Sequence, residues 1–171
     1  MSSRPKFMKT LYGACYYNEY HPIDRLDEDF RDMRDGNLSV LRVGESVWST
    51  WEPVEGEFNL EWLLPVLDSA YRDSISVIIG MPTYAIPNWL RIKHPEVMAH
   101  RNTGSPIHYG HRQNMDYSNP VFRKYAERII KKIVERYKDH PAIIGWQVDN
   151  EPGTQRTGCF LMKFFTSLIS S

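Results

Sequence analysis

The segment "AIIGWQVDNEPG" holds the group whose chemistry is easiest to interpret, a carboxyl at the end of an apolar run. Asp149, Asn150 and Glu151 close this run, and Pro152 follows them. Because proline has no amide proton and favours an extended conformation in the residue before it, a strand can carry Glu151 at its tip but can hardly continue beyond it. A glutamic acid partly withdrawn from water, as beside Trp146, keeps a proton available for donation. Glu151 is therefore a candidate general acid.

Asn150 adds a second polar group to the same strand end. An asparagine beside the acid can hydrogen-bond a sugar 2-hydroxyl, a contact that strengthens as the ring gains oxocarbenium character. Strict alternation along a strand puts Asn150 and Glu151 on opposite sides, so both reach one ligand only if the strand bends or bulges at its end. Residues 149–151 are alternatively a polar loop that closes the strand, and the tripeptide alone does not decide between the two interpretations.

The composition limits the class of protein. The chain has 171 residues, of which 42% are hydrophobic and 13% aromatic, enough for the core of one domain. Lysine and arginine number 21, as do aspartate and glutamate, and no run of like charge indicates a nucleic-acid or anionic-membrane partner. Cys15 and Cys159 are far apart and outside any C-x-x-C spacing, which argues against a disulfide scaffold. With no apolar signal or membrane-spanning segment, we expect a cytoplasmic protein.

A metal or cofactor site is not expected. His108 and His111 have a spacing that could bind a metal, but a histidine pair in a glycine-containing loop more often hydrogen-bonds its surroundings. No other cluster in the sequence has the ligand spacing of a metal site. We therefore predict neither a metal nor a cofactor.

Four short apolar stretches predict buried strands that position these groups. They begin at Leu11, Leu38, Ile75 and Ala142. Their continuous apolar character is typical of parallel strands covered on both faces. Apolar spacing predicts three intervening helices, which lie at about 24–36, around 62–70 with Pro65 at an early position or a kink, and at 120–137 with Ser118 or Asn119 as the cap.

This alternation of strands and helices predicts an α/β fold with a parallel sheet. A dinucleotide-binding sheet would need G-x-G-x-x-G after the first strand, where only Gly13 is present, so a (β/α)8 TIM barrel is favoured. Glu19, Glu45, Thr83 and Glu151 lie just past strand ends, where barrel enzymes build active sites. Because a barrel needs eight strands and about 250 residues, we expect only about the first four βα units, a truncated barrel.

Two long motifs resemble one known family. "LRVGESVWSTWEPVEGEFNLEWLLPVLD" is similar to the second-strand signature, and "ERYKDHPAIIGWQVDNEPG" to the fourth-strand signature, of the glycoside hydrolase family 42 β-galactosidases. The resemblance runs from about Leu11 to Gly153. It implies that residues 11–153 form the N-terminal half of a TIM-barrel catalytic domain, preceded by an N-terminal tail at 1–10. Residues 154–171 do not match the family pattern and are expected to be a divergent tail, a replaced or frameshifted end.

The resemblance also implies roles for individual residues. The family's general acid/base maps onto Glu151 and its preceding asparagine onto Asn150. Arg42 and Glu45 match the family's R-x-G-E motif beside the sugar subsite, and Arg112, in "YGHRQNMDYSNP", matches an arginine that binds the galactosyl unit. The implied activity is retaining hydrolysis of terminal non-reducing β-D-galactose residues.

The nucleophile of that reaction is a second glutamate on the seventh strand, which four strands do not include. The chain by itself is therefore expected to be inactive. Its expected partners are a β-galactoside, and a second copy of the chain or a complementary C-terminal half.

Each of these roles has a structural alternative. Arg42 is alternatively a structural ion-pair partner of Glu45 or Glu19, and Glu45 alternatively a helix cap. For Trp48 and Trp51, packing is favoured over sugar stacking. The function itself has two alternatives: another retaining glycosidase of the same clan, of β-glucosidase or β-mannanase type, and a non-catalytic sugar-binding or pseudoenzyme fragment.

Overall fold

The computed structural model describes residues 10–21, 24–100, 104–105, 107–110 and 114–150. Their backbone forms one parallel sheet of four strands in the order β1-β2-β3-β4. The strands are β1 (Gly13–Cys15), β2 (Val40–Val43), β3 (Ser76–Gly80) and β4 (Ile143–Gln147). Each strand lies within one of the four apolar stretches, so the predicted order of parallel strands is confirmed.

Helices cover one side of this sheet. The α-helices are α1 (Leu26–Asp35), α2 (Trp48–Trp51), α3 (Leu64–Arg72), α4 (Asn88–Lys93) and α5 (Pro120–Tyr137). The sequence predicts α1, α3 and α5 but misses α2 and α4. These two helices have four and six residues, too few for an apolar repeat to show. The segment between β3 and α5, which reads as one long loop, therefore contains a helix.

The helix boundaries follow from local chemistry. The Asn119 side chain caps α5 by accepting hydrogen bonds from the Val121 and Phe122 amides, at 2.9 and 3.2 Å. Pro65 lies in the first turn of α3, where a missing amide proton costs nothing, so it marks the start of the helix.

The core lies between the sheet and the helices. Leu41 is in register with Val77, and Val43 with Ile79, and all four side chains are buried. They share one hydrophobic cluster with side chains of α1, α3 and α5, namely Phe30, Val66, Leu67, Ala70, Phe122, Ala126, Ile129, Ile133 and Tyr137. The five residues of α5 in this list, from Phe122 to Tyr137, form one apolar stripe along the helix.

The opposite face of the sheet is only partly covered. Arg42 and Ile78, which are in register with one another, are half-buried, and Ile144 is 41% exposed. Every residue of β1 is exposed. The expectation that the strands are covered on both faces is therefore wrong for the described residues. The physical reason is that four strands leave the sheet open, whereas a closed barrel covers this face with its other strands.

A buried ion pair on the helical side joins α5 to the segment after α2. The Glu52 carboxylate is fully buried, pairs with Arg128, and accepts hydrogen bonds from Trp48 Nε1 at 3.1 Å and the Gly56 amide at 2.8 Å. The Arg128 guanidinium lies 4.7 Å from the centre of the Tyr125 ring. Because a buried carboxylate without a partner is strongly destabilising, this pair holds the loop after β2 against α5.

Replacing Arg128 tests that role. We expect Arg128→Met to lower the free energy of unfolding by about 3 kcal/mol, because it leaves the Glu52 charge buried and unpaired. Urea denaturation of the purified chain measures the change. Lys131→Met is the matched control on the same helix: Lys131 pairs with Glu127 on the surface at 2.7 Å. That control should cost less than about 0.5 kcal/mol. Equal losses in the two variants would contradict the assigned role.

Candidate active site

Polar side chains gather where the four strands end. Tyr17 and Glu19 follow β1, Glu45 follows β2, Thr83 follows β3, and Asp149 and Asn150 follow β4. Because the strands are parallel, these residues share the carboxyl edge of the sheet. That edge is where barrel enzymes carry their chemistry.

The Glu45 carboxylate organises the ends of the first two strands. It is 1% exposed, and its Oε1 atom lies 3.0 Å from Arg42 Nη2. The Tyr17 hydroxyl donates a hydrogen bond of 2.5 Å to the same Oε1 atom. Arg42 Nη2 also contacts the Cys15 sulfur, which accepts at 2.8 Å, so one guanidinium spans β1 and the turn after β2. We call Tyr17, Arg42 and Glu45 the carboxyl-edge cluster.

Two glycines allow Glu45 to take this position. Gly44 has φ of +81°, a left-handed conformation that glycine adopts without strain, and it turns the chain directly after β2. At Gly80, a Cβ would lie 2.3 Å from the Glu45 Cβ, so only glycine lets β3 approach so closely. The turn at Gly44 and the close approach at Gly80 place the Glu45 side chain at the carboxyl edge of the sheet.

The carboxyl-edge cluster keeps unused polar capacity. Glu45 Oε2 and Arg42 Nε are buried and have no hydrogen-bond partner among the described residues. Burial by itself lowers the pKa of Arg42, but the Glu45 charge and the Tyr17 hydrogen bond outweigh it and raise that pKa. The Arg42 side chain is 32% exposed. A permanently charged guanidinium therefore faces the uncovered side of the sheet, where it can bind a hydroxylated or anionic group.

Glu19 is a second carboxyl close to the cluster. Burial, and to a smaller extent the negative charge of Glu45, raise the pKa of Glu19 to about 7. Next to it, the Tyr84 hydroxyl donates to Ser46 Oγ at 2.8 Å, which links the turn after β3 to the turn after β2. Acid, phenol and hydroxyl groups thus lie at the ends of three strands.

The Asp149 carboxyl is withdrawn from water at the end of β4. Both of its carboxyl oxygens are inaccessible to water and lack a hydrogen-bond partner within the described residues. Burial raises the pKa of Asp149 to about 6, and the Asn150 backbone amide offsets part of this effect. A buried charge that is only partly compensated is costly, so Asp149 marks a position where the fold carries a destabilising group.

The predicted site residues fall into two groups. Arg42 and Glu45 are brought together, as the R-x-G-E spacing suggests, while Asn150 lies where the chain bends after β4 and accepts from Gln147 Nε2 at 3.3 Å. This bend is the feature that the sequence requires if Asn150 and Glu151 are to reach one ligand. Glu151 and Arg112 lie outside the described residues.

The structure also bears on the alternatives for individual residues. The ion pair of Arg42 with Glu45, expected as the structural alternative, is present, and Glu45 is not a cap because Val47 precedes α2. Trp48 and Trp51 are completely buried, with their indole nitrogens bonded to Glu52 and to the Gly44 carbonyl. Packing is therefore confirmed for both tryptophans.

Two site residues escape the sequence analysis. Tyr17 is one of two adjacent tyrosines after β1, and only the fold shows that Tyr16 points to Asp29 while Tyr17 points to Glu45. Tyr117 precedes α5 and has a buried hydroxyl without a partner in the described part of the chain. Their position next to a strand end and a helix start is the one signal that could have drawn attention to them.

Membrane-spanning helices and clusters of metal ligands are both absent from the described residues. None of the helices there is long and apolar enough to cross a bilayer. In the same residues, no group of three or more histidine, cysteine, aspartate or glutamate side chains is arranged to hold a metal ion.

Comparison with known proteins identifies the family. A family described as Beta-galactosidase, glycoside hydrolase family 42, matches residues 15–167. The chain belongs to this family. The resemblance drawn from the two strand motifs is thereby confirmed, and so is the assignment of the four strands to the N-terminal part of a family 42 TIM barrel.

Family 42 relatives extend well beyond the length of this chain. A β-galactosidase of Thermus thermophilus is 36% identical over 147 residues, which are 86% of this chain and 23% of the relative. The crystal structure of the β-galactosidase from Marinomonas ef1 is 38% identical with a TM-score of 0.81, covering 85% of this chain and 22% of that one. For the enzyme from Bacillus circulans sp. alkalophilus the identity is 30%, the TM-score 0.84 and the coverage 97% and 25%.

The buried Asp149 carboxyl should make the stability of the folded chain depend on pH. Burial raises its pKa from 3.8 to about 6, so the folded chain holds this proton more tightly than the unfolded chain. The carboxyl therefore opposes folding increasingly as the pH rises through this interval, and fully above it. We expect Asp149→Asn to raise the free energy of unfolding by about 1–2 kcal/mol at about pH 7.5, and to change it little at about pH 4.

Urea denaturation at the two pH values measures this difference. Asp139→Asn is the matched control, because Asp139 is exposed at the opposite end of β4. A loss of stability at neutral pH in Asp149→Asn would show that the carboxylate has a partner and would contradict the assignment.

Proposed function

We propose that this chain supplies the first four strands and the general acid/base of a retaining β-galactosidase that removes terminal non-reducing β-D-galactose residues. One observation supports the proposal. This family 42 chain places the Arg42–Glu45–Tyr17 cluster at the carboxyl edge of the sheet, which is the same edge at which β4 leads into Asn150. A charged guanidinium, a phenol and an amide at one edge suit the hydroxyl groups of a sugar.

The proposed chemistry divides between Glu151 and a second glutamate. Glu151 protonates the departing glycosidic oxygen and then takes a proton from the incoming water. The second glutamate lies on the seventh strand of the complete barrel, with its carboxyl about 5–5.5 Å from that of Glu151. It attacks the anomeric carbon and forms a covalent glycosyl intermediate. Two displacements at the same carbon release galactose with its β configuration retained.

The remaining site residues bind and orient the sugar in this proposal. Asn150 hydrogen-bonds the 2-hydroxyl, and Arg112 contacts the galactosyl unit. Arg42, held by Glu45 and Tyr17, presents its guanidinium to the nucleophile side of the subsite. Because Glu45 is buried and bonded to two partners, its role is to orient Arg42.

We further propose that residues 11–153 form the barrel part, flanked by 1–10 and 154–171. The partner of the chain is a complementary half or a second copy that covers the half-buried face of the sheet. The exposed free thiol of Cys15 suits a reducing compartment, so we propose a cytoplasmic enzyme of carbohydrate metabolism.

Substrate class is tested on a panel of nitrophenyl glycosides, with the chain supplied with the remaining strands of a relative. Preference for the β-galactoside supports the proposal. Preference for the β-glucoside or β-mannoside would assign the chain to another retaining activity of the clan. Galactose binding by calorimetry without turnover would indicate a non-catalytic sugar-binding protein.

Glu151→Gln tests the general acid in that complex. We expect turnover of poorly activated galactosides to fall by a factor on the order of 10²–10⁴, the range for lost general acid catalysis. Substrates with a good leaving group need less protonation and should lose less in the first step. Steady-state kinetics on both substrate types measures the difference, and equal losses would point to a structural role for Glu151.

The 171-residue chain by itself should show no measurable glycosidase activity. A retaining enzyme needs a nucleophile on the face of the sugar opposite the acid, and strands beyond the described four supply that face. The open sheet should also make the chain associate with itself. Assays on the purified chain, with its mass measured in solution, test both expectations. Robust turnover by the chain alone, abolished by Glu151→Gln, would overturn this division of the site.

A further inference from the structure

The ion pair between Arg42 and Glu45 is made through one carboxylate oxygen. Arg42 Nη2 lies 3.0 Å from Glu45 Oε1, while Glu45 Oε2 and Arg42 Nε are buried and have no hydrogen-bond partner among the described residues. Arginine and carboxylate groups frequently pair through two parallel contacts, which would use Oε2 as well. The fold thus leaves this pair open, although both groups have unused capacity to close it.

Two neighbouring side chains account for the open pair. The Tyr17 hydroxyl donates to the same Glu45 Oε1 atom at 2.5 Å, so this oxygen is shared between a phenol and a guanidinium. Cys15 is in register with Arg42 on the adjacent strand, and its sulfur accepts from Arg42 Nη2 at 2.8 Å. Turning the guanidinium onto both Glu45 oxygens would therefore break the sulfur contact and crowd the phenol.

Tyr17 is held in place independently of its hydroxyl. The Tyr20 amide donates to the Tyr17 carbonyl at 3.1 Å, and the Tyr16 amide donates to the Arg42 carbonyl at 2.9 Å. The Tyr16 hydroxyl bonds to Asp29 of α1 at 2.9 Å, and the Tyr17 and Tyr20 rings are in contact, with 5.9 Å between their centres. The Tyr17 hydroxyl is therefore presented from backbone tied to β2 and α1, as a positioning group requires.

We propose that Tyr17 is a positioning residue, whose hydrogen bond to Glu45 keeps the ion pair open and the rest of the Arg42 guanidinium free for the nucleophile carboxylate of the complete barrel. The inference rests on the proposed function. A buried carboxylate that loses a donor needs another, and the guanidinium is already in contact with Glu45. Without the phenol, Arg42 closes onto both Glu45 oxygens and turns away from the open face of the sheet. The nucleophile then loses part of a positive charge that favours its ionised form.

The test uses the full chain supplied with the remaining strands of a relative, and a nitrophenyl β-galactoside as the probe. Tyr17→Phe removes the hydroxyl and keeps the ring. We expect kcat/KM to fall about tenfold, and the acidic limb of its pH profile to move up by about one pH unit, because a carboxylate that loses a nearby positive charge binds its proton more tightly. Where Tyr17→Phe does not fold, Cys15→Ala decides the matter. It alters an exposed side chain, releases Arg42 Nη2 from β1 and should move the limb in the same direction.

Matched variants separate positioning from general damage. Tyr16→Phe removes the adjacent hydroxyl, which bonds to Asp29 of α1, so it should lower the stability of the fold and leave the acidic limb where it is. In a Glu45→Gln background the uncharged amide attracts the guanidinium less, so Tyr17→Phe should cause little further loss. Burial raises the pKa of Glu19 to about 7, so the profile is also measured in a Glu19→Gln background, where the shift should persist.

An unmoved acidic limb in Tyr17→Phe, with or without a loss of rate, would overturn the inference and leave the proposed function standing. A loss that multiplies with that of Glu45→Gln, or a shift that disappears in the Glu19→Gln background, would do the same. Inactivity of the unmutated complex would instead overturn the proposed function, and this inference with it.

Discussion

The Glu45 carboxylate is a buried charge, and a buried charge needs partners. Its 1% exposure obliges the chain to bring a guanidinium and a phenol to the same oxygen atom, and Arg42 and Tyr17 are those partners. The turn at Gly44 and the absent side chain at Gly80 make the approach sterically possible. The relative placement of the ends of β1, β2 and β3 therefore follows from satisfying one acid.

A second buried acid, Glu52, acts on the other side of the sheet. Its ion pair with Arg128 connects the segment after α2 to α5, and its backbone carbonyl accepts from Trp89 Nε1 at 2.9 Å. The helical side of the sheet is thus held together by this ion pair and by the apolar cluster. The half-buried face around Arg42 and Ile78 contrasts with it, as a surface suited to further strands of a barrel.

Asp149 shows the opposite situation from Glu45 and Glu52. It is a buried acid at the site edge for which the described side chains provide no partner, and burial raises its pKa to about 6. Stability alone would favour an amide or an apolar side chain there.

The sequence by itself determined the family, the parallel order of the strands and the helices long enough to show an apolar repeat. These rest on local signals: the apolar runs of the strands, the Asn119 cap and stripe of α5, and the R-x-G-E and D-N-E-P motifs. The tertiary structure alone decided which polar groups meet. Tyr17 is 28 residues from Glu45, and Arg128 is 76 residues from Glu52. Such pairings, like the burial of Asp149, depend on the register between strands and on the packing of helices against the sheet, which no local pattern encodes.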